Sequence, residues 1–309
     1  MVARALTLAV RARRADTGGR EFWQGSTVTE LTRLAQLARN GDVQAMVGLG
    51  QALSNAGRTD EAMALFRQAA QAGHVAAMYD LGLELSRHGR IDEAEHWYRS
   101  AALAGNTDAM VNLGVLVADR GQTAEAEGWY WRAADAGDTD AMRNLGGLLH
   151  ATGRFQEAKH WWRTAGEAGD TDSMTRLGGV CQQAGRAEEA EYWYRRAADA
   201  GNVSAMFDLG HFYVEVGLAD QAEYWYRRAA DAGDPGAMNS LAGVLHRAGR
   251  GAEAAQWWHR AASAGHPPAM YNLGLFMQED GSDEQAQVWF RKAQQAGLFL
   301  PDNPDISGA

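Results

Sequence analysis

The sequence is poor in the residues that staple or stiffen a small fold, with one cysteine and five prolines among 309 residues. The single Cys181 excludes an intramolecular disulfide framework and a four-cysteine zinc site. It fits a reducing compartment. Five prolines exclude a proline-rich linker of any length.

Positive charge is also scarce, since 29 Lys and Arg face 39 Asp and Glu and the net charge is −10. Phosphate binding requires a basic footprint, so this balance argues against nucleic acid as a partner. Residues 1–20 are the exception, with five arginines and one aspartate. We therefore predict an N-terminal basic arm over residues 1–26, either flexible or forming a short helix through Val2, Leu6 and Val10.

Long hydrophobic runs are missing as well. No apolar stretch approaches the roughly 18–20 residues of a membrane span. The run ALTLAV at 5–10 is shorter than the roughly 7–15 apolar residues of a secretory signal, and arginines follow it on the wrong side. The sequence predicts no membrane association and a cytoplasmic location.

What the chain does contain is a strict period of 32 residues. The string EYWYRRAADAG at Glu191–Gly201 recurs letter for letter at Glu223–Gly233. Framework columns repeat at the same offset: Met at 46, 78, 110, 142, 174, 206, 238 and 270; Leu at 49, 81, 113, 145, 177, 209, 241 and 273; Trp at 97, 129, 161, 193, 225, 257 and 289. A fixed period of this length indicates a stacked array of repeats.

Each copy reads as two helices of about fourteen residues, near 21 Å long. In the copy 202–233, apolar residues at helical spacing end at Gly217, and a second such face ends at Gly233. Glycine readily enters the left-handed conformation that ends a helix. A third glycine, Gly210, lies inside the first helix at a cost of about 1 kcal/mol, which we attribute to close approach of the paired helix at Ala222.

This register divides the chain into four parts. Residues 1–26 are the basic arm, 27–41 a capping half-repeat helix, 42–297 eight tandem copies, and 298–309 a C-terminal cap and tail. Within the tail, residues 298–301 (LFLP) either cap the last helix pair or dock on another copy of the chain, which would give a homodimer.

The spacing of Leu209 and Gly210 to small and aromatic residues seven, twelve, sixteen and nineteen positions later resembles the tetratricopeptide repeat. The WYRRAADAG ending, followed by AM and LG, resembles the Sel1-like (SLR) branch. Two departures are the 32-residue period instead of 34 and Met206 in place of Trp. The resemblance implies an all-α solenoid, a right-handed superhelix of antiparallel helix pairs, whose first helices line a concave groove that binds proteins or peptides.

We look for function where the copies differ, because framework positions are fixed by packing. The resemblance places variable first-helix residues in the groove. The predicted groove residues are Tyr79, Asp80, Asn112, Arg143, Asn144, His150, Arg176, Phe207, Asp208 and His211.

Arg143 and Arg176 come from adjacent copies, and Gly147 and Gly179 leave space beside them. Two guanidinium groups with room in front suit a partner's carboxylate or another anionic group. The alternative is that both arginines pair with nearby aspartates, Asp140, Asp172 or Asp208, as surface charges.

No catalytic, phosphate-binding or metal-ligand motif stands out, and the tryptophan column is typical of core packing. We therefore predict a non-catalytic scaffold or adaptor that binds a protein or peptide, with no cofactor and no metal. The alternative is an enzyme or a small-ligand sensor with its site in the central groove. A closed pocket among the groove residues would favour that alternative, and an open trough would favour the scaffold.

Overall fold

The computed structural model describes residues 26–298, and these residues form helices joined by short turns. The basic arm at 1–25 and the tail from 299 onward lie outside the described residues, and so does most of the LFLP segment. The helices are α1 Ser26–Arg39, α2 Val43–Asn55, α3 Thr59–Gln71, α4 Val75–Arg87, α5 Ile91–Leu103, α6 Thr107–Asp119, α7 Thr123–Asp135, α8 Thr139–Ala151, α9 Phe155–Glu167, α10 Thr171–Gln183, α11 Ala187–Asp199, α12 Val203–Glu215, α13 Ala219–Asp231, α14 Pro235–Arg247, α15 Gly251–Ser263, α16 Pro267–Glu279 and α17 Asp283–Gln295.

The predicted all-α repeat architecture is confirmed, because consecutive helices pack as antiparallel pairs at the 32-residue period. The chain divides into two compact units after Arg154. The first unit holds α1 to α8 and the second holds α9 to α17. Each unit is described by itself below.

Each copy starts with the same side-chain cap. Asp170 and Asn202, for example, precede α10 and α12, and their side-chain oxygens accept hydrogen bonds from the backbone amides of Ser173 and Ala205 at 2.7 and 2.9 Å. Such a cap satisfies a backbone donor that the helix leaves unpaired. His74 and His266 replace these residues in two copies and accept through Nδ1.

Glycine ends the helices as predicted. Gly217 and Gly233 have φ of 79° and 97°. The amide of Leu218, just after the first of them, donates to the carbonyl of Tyr213 at 2.8 Å, which closes the last turn of α12. The short, constant turns keep all copies in register.

The glycine inside the first helix has a different neighbour from the one expected. Gly210 does face the paired helix, but what touches it is the ring of Tyr226 and not Ala222. The ring lies where a Cβ would be, so the close approach serves an aromatic side chain that crosses beneath the first helix. The same arrangement joins Gly82 to Tyr98 and Gly178 to Tyr194.

The core of each unit consists of framework residues. Leu113 in the first unit and Leu209 and Ala222 in the second are fully buried. The tryptophan column is core where the prediction is clearest, since Trp193 and Trp225 are 4% and 5% exposed. Because these columns are spent on packing, the variable positions are left at the surface of the helices.

Candidate functional site

The candidate site is the surface formed by the variable positions of the first helices, called here the first-helix face. Six of the ten predicted residues belong to the first unit and four to the second. The six are Tyr79 and Asp80 on α4, Asn112 on α6, and Arg143, Asn144 and His150 on α8. The four are Arg176 on α10 and Phe207, Asp208 and His211 on α12.

In the first unit the face is built around two tyrosines. The ring of Tyr79 lies 6.0 Å from the ring of Tyr98, centroid to centroid. The side chain of Asn112, from the next copy, is hydrogen-bonded to both hydroxyl groups. Burial raises the pKa of Tyr98 to about 12 and also raises the pKa of Tyr79. Both hydroxyls therefore stay protonated at neutral pH and can donate hydrogen bonds.

Asp80 lies beside them, and contacts between copies hold its carboxylate in place. Gln51 Nε2 donates to Asp80 Oδ2 at 3.0 Å. Burial raises the pKa of Asp80, and this hydrogen bond acts in the opposite direction. The half-buried carboxylate is an acceptor in a surface that otherwise offers hydroxyl and amide groups.

Arg143 is partly engaged. Its Nη2 donates to Asp140 Oδ1 at 2.5 Å, with 26% of the arginine side chain and 63% of the aspartate side chain exposed. This is one of the surface ion pairs that the sequence left open as the alternative. Asn144 and His150 are half-buried on the same helix. Gly147 has no neighbouring atom within 4 Å of an added Cβ, so the expected space is there.

In the second unit Arg176 is exposed and lies over the ring of Trp162, with 5.9 Å from its Cζ to the ring centroid. Such a contact fixes the guanidinium face and leaves its edge to solvent. At Gly179 an added Cβ would have the hydroxyl of Tyr194 3.5 Å away. The space expected beside Arg176 is thus bordered by a tyrosine hydroxyl.

Phe207, Asp208 and His211 share one stretch of α12. The ring of Phe207 lies 5.7 Å from that of Tyr226. Burial raises the pKa of Asp208, and the charge of His211 opposes the shift. His211 Nδ1 is 3.3 Å from Glu215 Oε1. This part of the face is acidic and aromatic.

Sequence reasoning missed the second-helix tyrosines. The hydroxyl of Tyr194 donates to Gln182 Oε1 at 2.9 Å, and Gln182 Nε2 donates to Glu215 Oε2 at 2.6 Å. Tyr194 thus reaches the first-helix face from beneath α10. The column holds Phe66, Tyr98, Tyr130, Trp162, Tyr194, Tyr226, Trp258 and Phe290. Its switch between residues with and without a hydroxyl is the signal that could have identified it.

Two cavities lie away from the predicted residues. One, of about 600 Å³, is lined by Thr29, Thr32, Arg33, Gln36 and Leu37 of α1. The other, of about 420 Å³, is on the second helices α11 and α13. Residues 26–298 contain no cluster of three or more His, Cys, Asp or Glu side chains placed to hold a metal ion. Within the same range, no helix is both long and apolar enough to cross a bilayer.

Family models for repeats match nearly the whole described chain. Two models described as tetratricopeptide repeat match residues 31–76 and 79–141, and 229–260. The Sel1 repeat model matches 139–170, 171–202, 203–234 and 267–298. A comparison with curated proteins found no match.

Solved structures include similar chains. One is c5321, a protective antigen of uropathogenic Escherichia coli strains with an SLR fold, at 26% identity and a TM-score of 0.70. The match covers 87% of this chain, which spans 64% of the length of that protein. Another is a Sel1 repeat protein from Oxalobacter formigenes, at 26% identity and a TM-score of 0.68, with 87% and 88% of the two chains covered. Pseudomonas aeruginosa pilF shares the fold at 17% identity and a TM-score of 0.52 over 62% of this chain and 91% of that one.

Proposed function

The chain belongs to the tetratricopeptide and Sel1 repeat proteins, and on this basis we propose that it is a non-catalytic scaffold that binds a protein or peptide on its first-helix face. The fold is typical of protein–protein interaction. The finer claim concerns the surface used and the chemistry of what it binds.

The observation that carries the proposal is the contrast between frame and face. Leu209 and Ala222 are buried and keep their kind in most copies, whereas neighbouring Phe207, Asp208 and His211 have no counterpart in the adjacent copies. A side chain that packing does not fix and solvent can reach is free to recognise a partner. The face offers tyrosine hydroxyls, amides and carboxylates at fixed heights along each unit, which suits an extended peptide.

Two cations give the face a preference for an anionic group. The pair of Arg143 with Asp140 is largely solvent-exposed, so its net stabilisation is small. A partner carboxylate can replace Asp140 at little cost. Arg176 presents the edge of its guanidinium from above Trp162. We propose that acidic side chains or a terminal carboxylate of the partner bind these arginines, each within its own unit.

The test starts from partners captured by the wild-type protein and identified by mass spectrometry. Affinity for a captured partner is then measured with Arg143→Ala, Arg176→Ala and the double variant. Loss of one charge-assisted contact should weaken binding by about tenfold. Arg260→Ala is the matched control, because Arg260 also lies over a tryptophan, Trp257, but on a second helix. Unchanged affinity in the double variant would contradict the role of these arginines.

A further inference from the structure

The identical segments Glu191–Gly201 and Glu223–Gly233 have different surroundings. In the second of them, Arg227 and Glu223 complete a ring of four charges with Arg250 and Glu253 of the next copy. Arg227 Nη2 is 2.9 Å from Glu223 and 2.7 Å from Glu253, while Arg250 Nη1 is 2.8 Å from Glu223 and Nε is 3.0 Å from Glu253.

In the first segment the ring is open. Leu218 stands where the following copy has Arg250, and Gln221 stands where it has Glu253. Arg195 keeps Glu191 at 2.8 Å, and the hydroxyl of Tyr213 hydrogen-bonds both of them. Among the described residues Arg195 pairs with no carboxylate of the next copy. Its side chain is 50% exposed, against 36% for Arg227.

Space lies in front of the open ring. A cavity of about 420 Å³ is lined by Arg195, Asp199, Asp220, Gln221, Tyr224 and Trp225. Nη2 of Arg195 makes both of its hydrogen bonds, so Nη1 and Nε have no hydrogen-bond partner within residues 26–298. A guanidinium can bind a carboxylate through two parallel hydrogen bonds, and unused donors of this kind remain here.

The two aspartates of the cavity have their own positive partners. Asp199 Oδ1 is 3.5 Å from Nη1 of Arg228. Asp220 lies in the first turn of α13, where the helix N-terminus stabilises negative charge. Arg195 is therefore the charge that the cavity leaves available.

Apolar residues border the open ring at positions that are mainly polar in the other copies. Val214, Val216 and Leu218 are 38%, 46% and 43% exposed. Tyr224, in the cavity itself, is 56% exposed. An exposed arginine next to aliphatic and aromatic side chains matches an acidic residue flanked by large apolar ones.

We propose that this second-helix surface is a separate docking site for an acidic–apolar segment of a protein partner, whose carboxylate occupies, beside Arg195, the place that Glu253 takes beside Arg227. The site lies on the opposite helices from the first-helix face. It therefore goes beyond the scaffold function and does not depend on it.

The test uses the full chain and three fluorescein-labelled peptides that differ only in a central Glu, Gln or Lys flanked by leucines. Fluorescence anisotropy at low salt should show the Glu peptide binding at least about tenfold more tightly than the Gln peptide. Gln221→Glu restores the carboxylate of the next copy and should reduce binding of the Glu peptide to the level of the Gln peptide. Its melting temperature shows whether the fold is intact.

The next junction provides the converse variant. Arg250→Leu combined with Glu253→Gln opens the closed ring at Arg227, and should add a second site for the Glu peptide. Absence of binding by any peptide, binding of the Glu peptide that Gln221→Glu leaves unchanged, or a preference for the Lys peptide would each overturn the proposal. The last outcome would assign the cavity to a cation held by Asp199 and Asp220.

Discussion

A Cβ atom added to Gly210 would lie 2.6 Å from Cδ1 of Tyr226 on the paired helix. Gly210→Ala should therefore lower the free energy of unfolding by about 1–3 kcal/mol, because the ring or the backbone must shift. Gly243→Ala is the control in the same unit, since the nearest group to its added Cβ is Nη1 of Arg247 at 3.8 Å. That variant should gain up to about 1 kcal/mol from helix propensity. Chemical denaturation measures both, and a change of the same sign in the two variants would contradict the packing role.

Trp225 is 5% exposed in the core of the second unit. Trp225→Ala should cost about 3–5 kcal/mol, because it leaves a cavity that neighbouring copies cannot fill. Tyr192→Ala removes an exposed aromatic ring, 55% accessible, and should change stability by only about 0.5 kcal/mol. Denaturant titration followed by circular dichroism checks both. Equal losses would show that the tryptophan column is not core.

His266 caps α16 through an unprotonated nitrogen, since Nδ1 accepts the amide hydrogen of Ala269 at 3.3 Å. Burial lowers its pKa, and the charge of Asp234 opposes the shift. A histidine whose folded pKa lies below its unfolded value stabilises the fold fully above about pH 6.5 and loses that contribution as the pH falls further.

His266→Asn installs the cap that Asn202 provides in another copy. The variant should lose less stability than the wild type between pH 7 and the histidine's folded pKa. Denaturation across this window measures the difference curve. A difference that does not depend on pH would rule out titration of the cap.

Glu223 accepts hydrogen bonds from two arginines. Burial raises its pKa, but the hydrogen bonds from Arg227 and Arg250 outweigh burial and the net shift is downward. A carboxylate with a lowered folded pKa stabilises the fold above about pH 4.3 and loses this contribution in acid. Glu223→Gln should therefore be less stable than wild type at neutral pH, and its stability should fall less on acidification. Glu188→Gln, at an exposed position of α11, should change neither, and identical acid profiles for all three proteins would contradict the prediction.

The helices could be predicted from sequence because their causes are local and repeated. A cap, an apolar stripe and an end glycine recur every 32 residues, and Gly217 shows each rule at work. The neighbour of Gly210 could not be predicted in the same way. Which side chain of the paired helix crosses at that height depends on helix packing, and Tyr226 reaches there only because its ring lies flat beneath α12.

The candidate site was less predictable because polar side chains choose among several partners. Arg143 binds Asp140, three residues earlier on its own helix, and nothing in the sequence ranks that contact above a partner's carboxylate. The open ring at Arg195 was visible in the sequence, as Leu218 and Gln221 in columns that mostly hold arginine and glutamate. It was missed because the second helices were assigned to packing alone. The cytoplasmic location stays a prediction.

The identity of residues 191–201 and 223–233 makes the array able to change length without refolding. A deletion of 32 residues between equivalent points of the two segments would join Gly201 directly to Asp234. The cap, the turn and the tyrosine–glycine contact would all be kept. Arg195 would then stand beside Arg250 and Glu253, and the open ring would close. One recombination event between near-identical stretches of DNA would thus remove a binding surface and leave the architecture unchanged.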